Sequence, residues 1–170
     1  MEAITFTVPG IPQPAGSKRG FPVKRKNGTI GVAISDANPK SRVWKQEVAQ
    51  AAGDIYRGPL LTGPLHLEVT FQFPRPKSHY GTGKNAGVLK LSAPLYHTQK
   101  PDSTKLIRGV EDALTGIIWR DDSQVCCQTV NKRWGARAAA GVRIIPLADF
   151  ADVPEAGVAK RETKPTETNG

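Results

Sequence analysis

The chain has 170 residues, enough for one domain with a real core and too few for two independent ones. Its 24 Lys and Arg against 15 acids give a formal charge of +9, which suits a polyanionic partner, nucleic acid first, and leaves the fold open. The only cysteines, Cys126 and Cys127, are adjacent, which excludes a disulfide framework and a four-ligand zinc site and points to a reducing cytoplasm. No apolar run approaches membrane-spanning length, and Met1 to Val8 alternates polar and apolar residues instead of forming an export leader, so neither export nor a membrane partner is expected.

Ile4, Phe6 and Val8 alternate with Thr5 and Thr7, the period of a strand with one buried face. Gly16 to Lys26 carries Lys18, Arg19, Lys24, Arg25 and Lys26 with no acid, among Gly and Pro residues, and reads as a basic loop or hairpin. Asn38-Pro39 signals a helix start, after which Trp44, Val48, Ala51, Ala52 and Ile55 recur at helical spacing. Leu65, Leu67, Val69, Phe71 and Phe73 then alternate strictly, the clearest strand in the chain. Pro74 to Lys100 is acid-free and too long for an idle connection. A second helix starts at Asp102, with Leu106, Val110, Ala113, Leu114 and Ile117 on one stripe and Gly116 at its end. Two more strands are expected at Val125 to Arg133 and Val142 to Leu147.

Beyond Phe150 no large apolar side chain is left to bury, so residues 151–170 read as a disordered tail. The first 150 residues keep 21 basic and 11 acidic side chains, a net +10, so the positive charge belongs to the folded part. The expected architecture is a single α/β (α+β) domain over residues 1–150. It has a mixed sheet of about four strands with two helices packed on it, in the order β-α-β-α-β-β. Gly81-Thr82-Gly83-Lys84 lacks the spacing and the terminal Ser or Thr of a phosphate-binding P-loop.

Chemistry concentrates in Lys100 to Val125, KPDSTKLIRGVEDALTGIIWRDDSQV, where acids flank an amphipathic helix with basic residues between them. Mg2+ takes one or two carboxylates with waters and phosphate oxygens, so its aspartates must be brought together from separate elements. Asp102, at the helix start, and Asp122, past its end, suit that task if the chain beyond Trp119 folds back alongside the helix. The same residues have plainer readings. Asp102 is a good helix cap. Asp121-Asp122 suits a turn. Asp112 is spaced to pair with Arg108.

This segment resembles the signature of the RusA family of Holliday junction resolvases, phage-type members in particular. The resemblance rests on Lys100-Pro101-Asp102, Asp112-Ala113-Leu114 and Trp119 to Val125, and extends weakly to Arg75-Pro76-Lys77-Ser78-His79. It implies a homodimer that cuts four-way junctions symmetrically, with Mg2+ as cofactor (Mn2+ as a substitute); the reduced carboxylate count of this chain leads to an expectation of one ion per site. The implied ligands are Asp102 and Asp122, with Asp121, Glu111 or Asp112 as replacements for the carboxylate the pattern lacks here, and Arg108, Lys105 and Thr104 complete the catalytic group. Three positions depart from the family pattern: Thr104 and Lys105 stand where a second Asp and an Asn are usual, and Arg108 replaces a lysine. Arg keeps the charge but not the compact ammonium.

Phosphate contacts are assigned to Lys18, Arg19, Lys24, Arg25, Lys26, Lys77, Lys84, Lys90, Lys100, Lys132 and Arg133. Trp44 and Trp119 read as core anchors. Trp134 reads as core, or as a platform for an unpaired base. His79 and His97 are loop histidines with a phosphate contact as the alternative to an idle role. Three functions remain open: an active junction endonuclease, a branched-DNA binder whose chemistry Thr104 has weakened, and a general basic nucleic-acid-binding protein.

Overall fold

β1 (Ile4–Pro9) buries Ile4, Phe6 and Val8 and leaves the alternate residues exposed, as its period requires. β2 (Lys18–Lys24) and β3 (Ile30–Asp36) pair with each other and stand apart from the main sheet. Their turn is closed by Arg25 N–H on the Thr29 carbonyl (2.8 Å), with Gly28 at a φ of 83° that a side chain would resist. The basic stretch is therefore a hairpin, and it adds two strands to the four expected. A computed structural model describes residues 2–16, 18–36 and 38–147; for residues 18, 19 and 34–36 it describes the backbone only. The expected tail, residues 151–170, lies outside the described residues.

α1 (Pro39–Ile55) starts where Pro39 supplies a preset φ and the Asn38 side chain accepts the Lys40 N–H at 3.2 Å. Trp44, Val48 and Ala52 are buried, whereas Ile55, the last helical residue, stays exposed at the rim. β4 (Leu65–Pro74) buries Leu65, Leu67, Val69, Phe71 and Phe73 without exception. α2 (Ser103–Leu114) turns Leu106, Ile107, Val110, Ala113 and Leu114 inward. It stops at Leu114, short of the expected Gly116 and Ile117, and Gly116 beyond it has a φ of 81° that lets its N–H reach the Trp119 carbonyl at 2.7 Å. Trp119 is fully buried and its indole N–H bonds the Thr115 hydroxyl. Truncating it to Ala should cost about 3–5 kcal/mol.

β5 (Val125–Gly135) and β6 (Ala139–Pro146) complete a four-stranded sheet in the order β1-β6-β4-β5. β4 and β5 run parallel, and the other neighbours are antiparallel. Joining two parallel neighbours requires a crossover, and α2 supplies it. The helix therefore runs against β5, starting near the end of β4 and finishing near the start of β5. That direction places everything discussed below. β5 is an edge strand, and the loop segment Leu95–His97 lines only its far end, through His97 N–H on the Lys132 carbonyl (3.0 Å) and Trp134 N–H on the Leu95 carbonyl (2.9 Å).

Candidate active site

Asp102 occupies the N-cap position of α2, yet its side chain makes no capping hydrogen bond. The capping role is thus unused, and the carboxylate is left to other partners. Lys105 Nζ stands 3.7 Å from it, with both side chains more than half exposed, so the pair is weak. Thr104 and Arg108 are also exposed on this end of the helix. The segment leading into Asp102 is held from below: Lys132 Nζ donates to the carbonyls of Gln99 and Pro101, both at 2.6 Å. On the other side, Ala15 N–H bonds the Lys105 carbonyl at 2.8 Å. Asp102, Lys100 and Lys105 share a cleft of about 590 Å³ with Gln13, Asn38 and Phe73. A fixed, uncapped carboxylate among cations can take a divalent ion and a phosphate together.

The carboxyl end of α2 is different. Glu111 is half-buried and accepts from Gln128 Nε2; burial raises its pKa above the ordinary 4.5, and the nearby Asp122 and Asp112 carboxylates push it further. Asp112 pairs with Lys45 at 2.6 Å, across to α1, and not with Arg108 as its spacing suggests. Asp121 caps a short 3-10 turn: its Oδ1 accepts the Ser123 N–H (2.9 Å) while Gln124 Oε1 accepts the Asp121 N–H (3.2 Å). Hydrogen bonds from Ser123 hold the Asp121 pKa below its usual value. Asp121 is accordingly a turn residue and is not set out as a metal ligand. Asp122 is exposed, in an open recess of about 450 Å³ shared with Lys45 and Asp112.

The two ends do not meet. Nine residues separate Asp102 from Glu111, roughly 13–14 Å of helix. β5 measures the same span from beneath, since Lys132 holds Pro101 and Gln128 holds Glu111. Past Trp119 the chain heads for the start of β4 and not back along the helix: Trp119 bridges to Leu61, and Gln124 Nε2 bonds the Leu61 and Gly63 carbonyls. The expected convergence of Asp102 and Asp122 on one ion within a single chain is therefore corrected. Among the described residues, no three His, Cys, Asp or Glu side chains gather closely enough to hold a metal. Asp102 suits one carboxylate position of a Mg2+ site, and among the described residues no second carboxylate lines its cleft.

The model of the endodeoxyribonuclease RusA family matches residues 12–145. The chain belongs to the RusA family. It is also 35% identical over 132 residues to YqaN of Bacillus subtilis (strain 168), a protein described as uncharacterized, covering 78% of this chain and 88% of that one.

Within this RusA-family domain the other expected contacts separate into two groups. Lys24, Arg25 and Lys26 at the hairpin end, and Lys77, Lys84, Lys90 and Lys100, are exposed, as is Arg133, whose guanidinium lies 5.8 Å from the Tyr96 ring. The side chains of Lys18 and Arg19 lie outside the described residues. Lys132 is a correction: its ammonium is turned inward onto two backbone carbonyls, so it positions the Asp102 segment and is not placed for phosphate. His97 is buried, stacked between Phe73 and Trp134 with ring centroids 4.2 Å from each, and His79 meets Trp134 edge-on. Burial first, then Lys132, lowers the His97 pKa. His97 thus serves packing, and Trp134 is partly buried, with His97 tilted against it and His79 at its edge. No helix of the described residues is long and apolar enough to cross a membrane.

Proposed function

We propose that the protein is a Mg2+-dependent endonuclease that cuts Holliday junctions and other branched DNA by phosphodiester hydrolysis, as a cytoplasmic homodimer in recombination and repair. What supports the reading is the uncapped Asp102 carboxylate, paired weakly with Lys105 and sharing a cleft with Lys100, in a member of an endodeoxyribonuclease family. When bound, the ion would polarise the scissile phosphate and acidify a water. The chain's own work is to hold Asp102 still through Lys132, to offset developing phosphate charge with Arg108 and Lys105, and to offer the Thr104 hydroxyl where a carboxylate is usual. Exposed cations of the β2–β3 hairpin and of the Pro74–Lys100 loop would follow the DNA backbone and make affinity salt-dependent. A four-way junction has two-fold symmetry, so paired cuts call for a C2 dimer with one site per strand.

A second reading, a branched-DNA binder with weakened chemistry, is favoured by Thr104 and by Asp102 being the one carboxylate among the described residues that line its cleft. Labelled four-way junctions incubated with the protein, with and without Mg2+, separate the two. Paired nicks that need the ion support the nuclease; selective binding without nicks supports the binder; equal affinity for linear duplex removes both.

A further inference from the structure

The β2–β3 hairpin carries apolar residues for which the fold has no use. Every residue from Gly20 to Ile30 is exposed, and so is Val32, and neither strand joins the main sheet. Residues paired across an antiparallel ladder point the same way, so the register sorts the side chains into two faces. Pro22 with Val32 and Lys24 with Ile30 make one face; Phe21 with Ala33 and Val23 with Gly31 make the other. Ile30 is 78% exposed, Val32 71%, Phe21 47% and Val23 39%, so the described residues close over neither face. Apolar side chains left in water contribute little to the fold, and a lone two-stranded hairpin is marginal by itself. Both features suit an element that finds its cover on a partner.

Position and charge select that partner. Both roots of the hairpin line the cleft that holds Asp102: Gln13 and Pro14 ahead of β2, and Asn38 after β3. Ala15 N–H on the Lys105 carbonyl (2.8 Å) ties one root to α2, and Asn38 Nδ2–H on the Pro14 carbonyl (3.1 Å) ties the roots together. The hairpin therefore rises from the rim of the cleft that would take the scissile phosphate, on strands roughly 23 Å long. Gly16 to Ser35 holds five Lys and Arg and no acid. A protein partner would have to bury these cations beside the apolar faces, whereas DNA accepts both, with phosphates on the cations and base faces on the apolar side chains. Base faces are open to such contact where stacking is interrupted, as it is where duplex arms meet. We propose that the β2–β3 hairpin is a wedge that enters the branch point of a DNA junction. Ile30 and Val32, its most exposed apolar residues, lie against unstacked bases, and Lys24, Arg25 and Lys26 hold the flanking phosphates. The wedge rests on the branched-DNA reading above and adds to it the element that tells a branch from a plain duplex.

The test sets the wild-type protein against Ile30→Thr/Val32→Thr, which keeps β-branched side chains on the strand and removes apolar contact. Binding to a four-way junction and to linear duplex of the same sequence is measured without divalent metal. The junction carries, beside its branch point, a fluorescent purine analogue whose emission rises on unstacking. The expected result for the variant is a junction affinity lowered about 10-fold, a duplex affinity within about two-fold of wild type, and no emission rise. Lys24→Gln/Arg25→Gln/Lys26→Gln should instead weaken both substrates and flatten the salt dependence by roughly 0.9 per lost phosphate contact. Equal loss on both substrates in Ile30→Thr/Val32→Thr, or unchanged junction affinity and emission, overturns the wedge. A variant that sediments as a smaller species than the wild type assigns this face to a second copy and overturns it as well. A wild type that gives the emission rise but no Mg2+-dependent nicks would overturn the nuclease reading and leave the wedge standing.

Discussion

The two ends of α2 carry opposite chemistry, and both oppose what a helix prefers. Partial positive charge at a helix start favours acids there, and partial negative charge at its end favours bases, by about 0.3–1 kcal/mol each. The first turn of α2 instead holds no acid, with Lys105 inside it, and the last turn holds no base, with Glu111 and Asp112 inside it. Only Asp102 follows the rule, and it declines the capping bond that the position offers. Stability does not account for such an arrangement. Binding does, because cations at the start suit phosphate and surplus carboxylates past the end suit an ion or a partner's cations.

That contrast can be broken at either end. Of the changes at the two ends, the largest effect on stability is expected from Lys132→Met, which takes two charge-assisted hydrogen bonds from under the Asp102 segment; unfolding in urea should show a loss of about 2–3 kcal/mol, below that of Trp119→Ala. A loss below about 0.5 kcal/mol would mean that the segment is held by something else. Next comes His97 in its aromatic stack. Its pKa is lowered in the fold, so the unfolded chain binds the proton more readily; the stability it contributes is present above the ordinary 6.5 and is lost as pH falls through the folded value. His97→Phe should flatten the dependence of stability on pH between neutral and acidic conditions, and an unchanged slope would place the titrating group elsewhere. Glu111 should give the smallest effect, with the opposite sign. Its pKa is raised, so its contribution is complete below 4.5 and is lost as pH rises. Glu111→Gln keeps an acceptor for Gln128 and should be at least as stable as the parent at neutral pH. A lower melting temperature there would show that the charge is satisfied.

Much of this was legible in the chain itself. Strict alternation gave β4, and a single apolar stripe gave α2, because burial of one face leaves a period that survives without tertiary information. β5 shows no clean alternation for a physical reason: as an edge strand it mixes residues whose side chains bond to α2 or the segment before it, such as Gln128 and Lys132, with others that do not, and its apolar count is low. Asp102 was legible as a site residue, but its relation to Asp122 was not. Twenty residues of spacing do not say whether the chain returns along a helix or leaves from its far end, and the parallel pairing of β4 with β5 decides that. The inward turn of Lys132 and the burial of His97 depend on contacts between a loop and an edge strand, which leave no periodic trace. Position in a basic run made both look like surface residues.

The most direct test of the assignment to the amino end of α2 uses Asp102→Asn on labelled four-way junctions with Mg2+, with binding and cutting read in the same samples. The expected result is cutting reduced at least about 100-fold with junction affinity nearly unchanged, since the substitution removes the ion's ligand and leaves the surrounding cations in place. Full cutting by Asp102→Asn would contradict the assignment and move the chemistry away from this end of the helix.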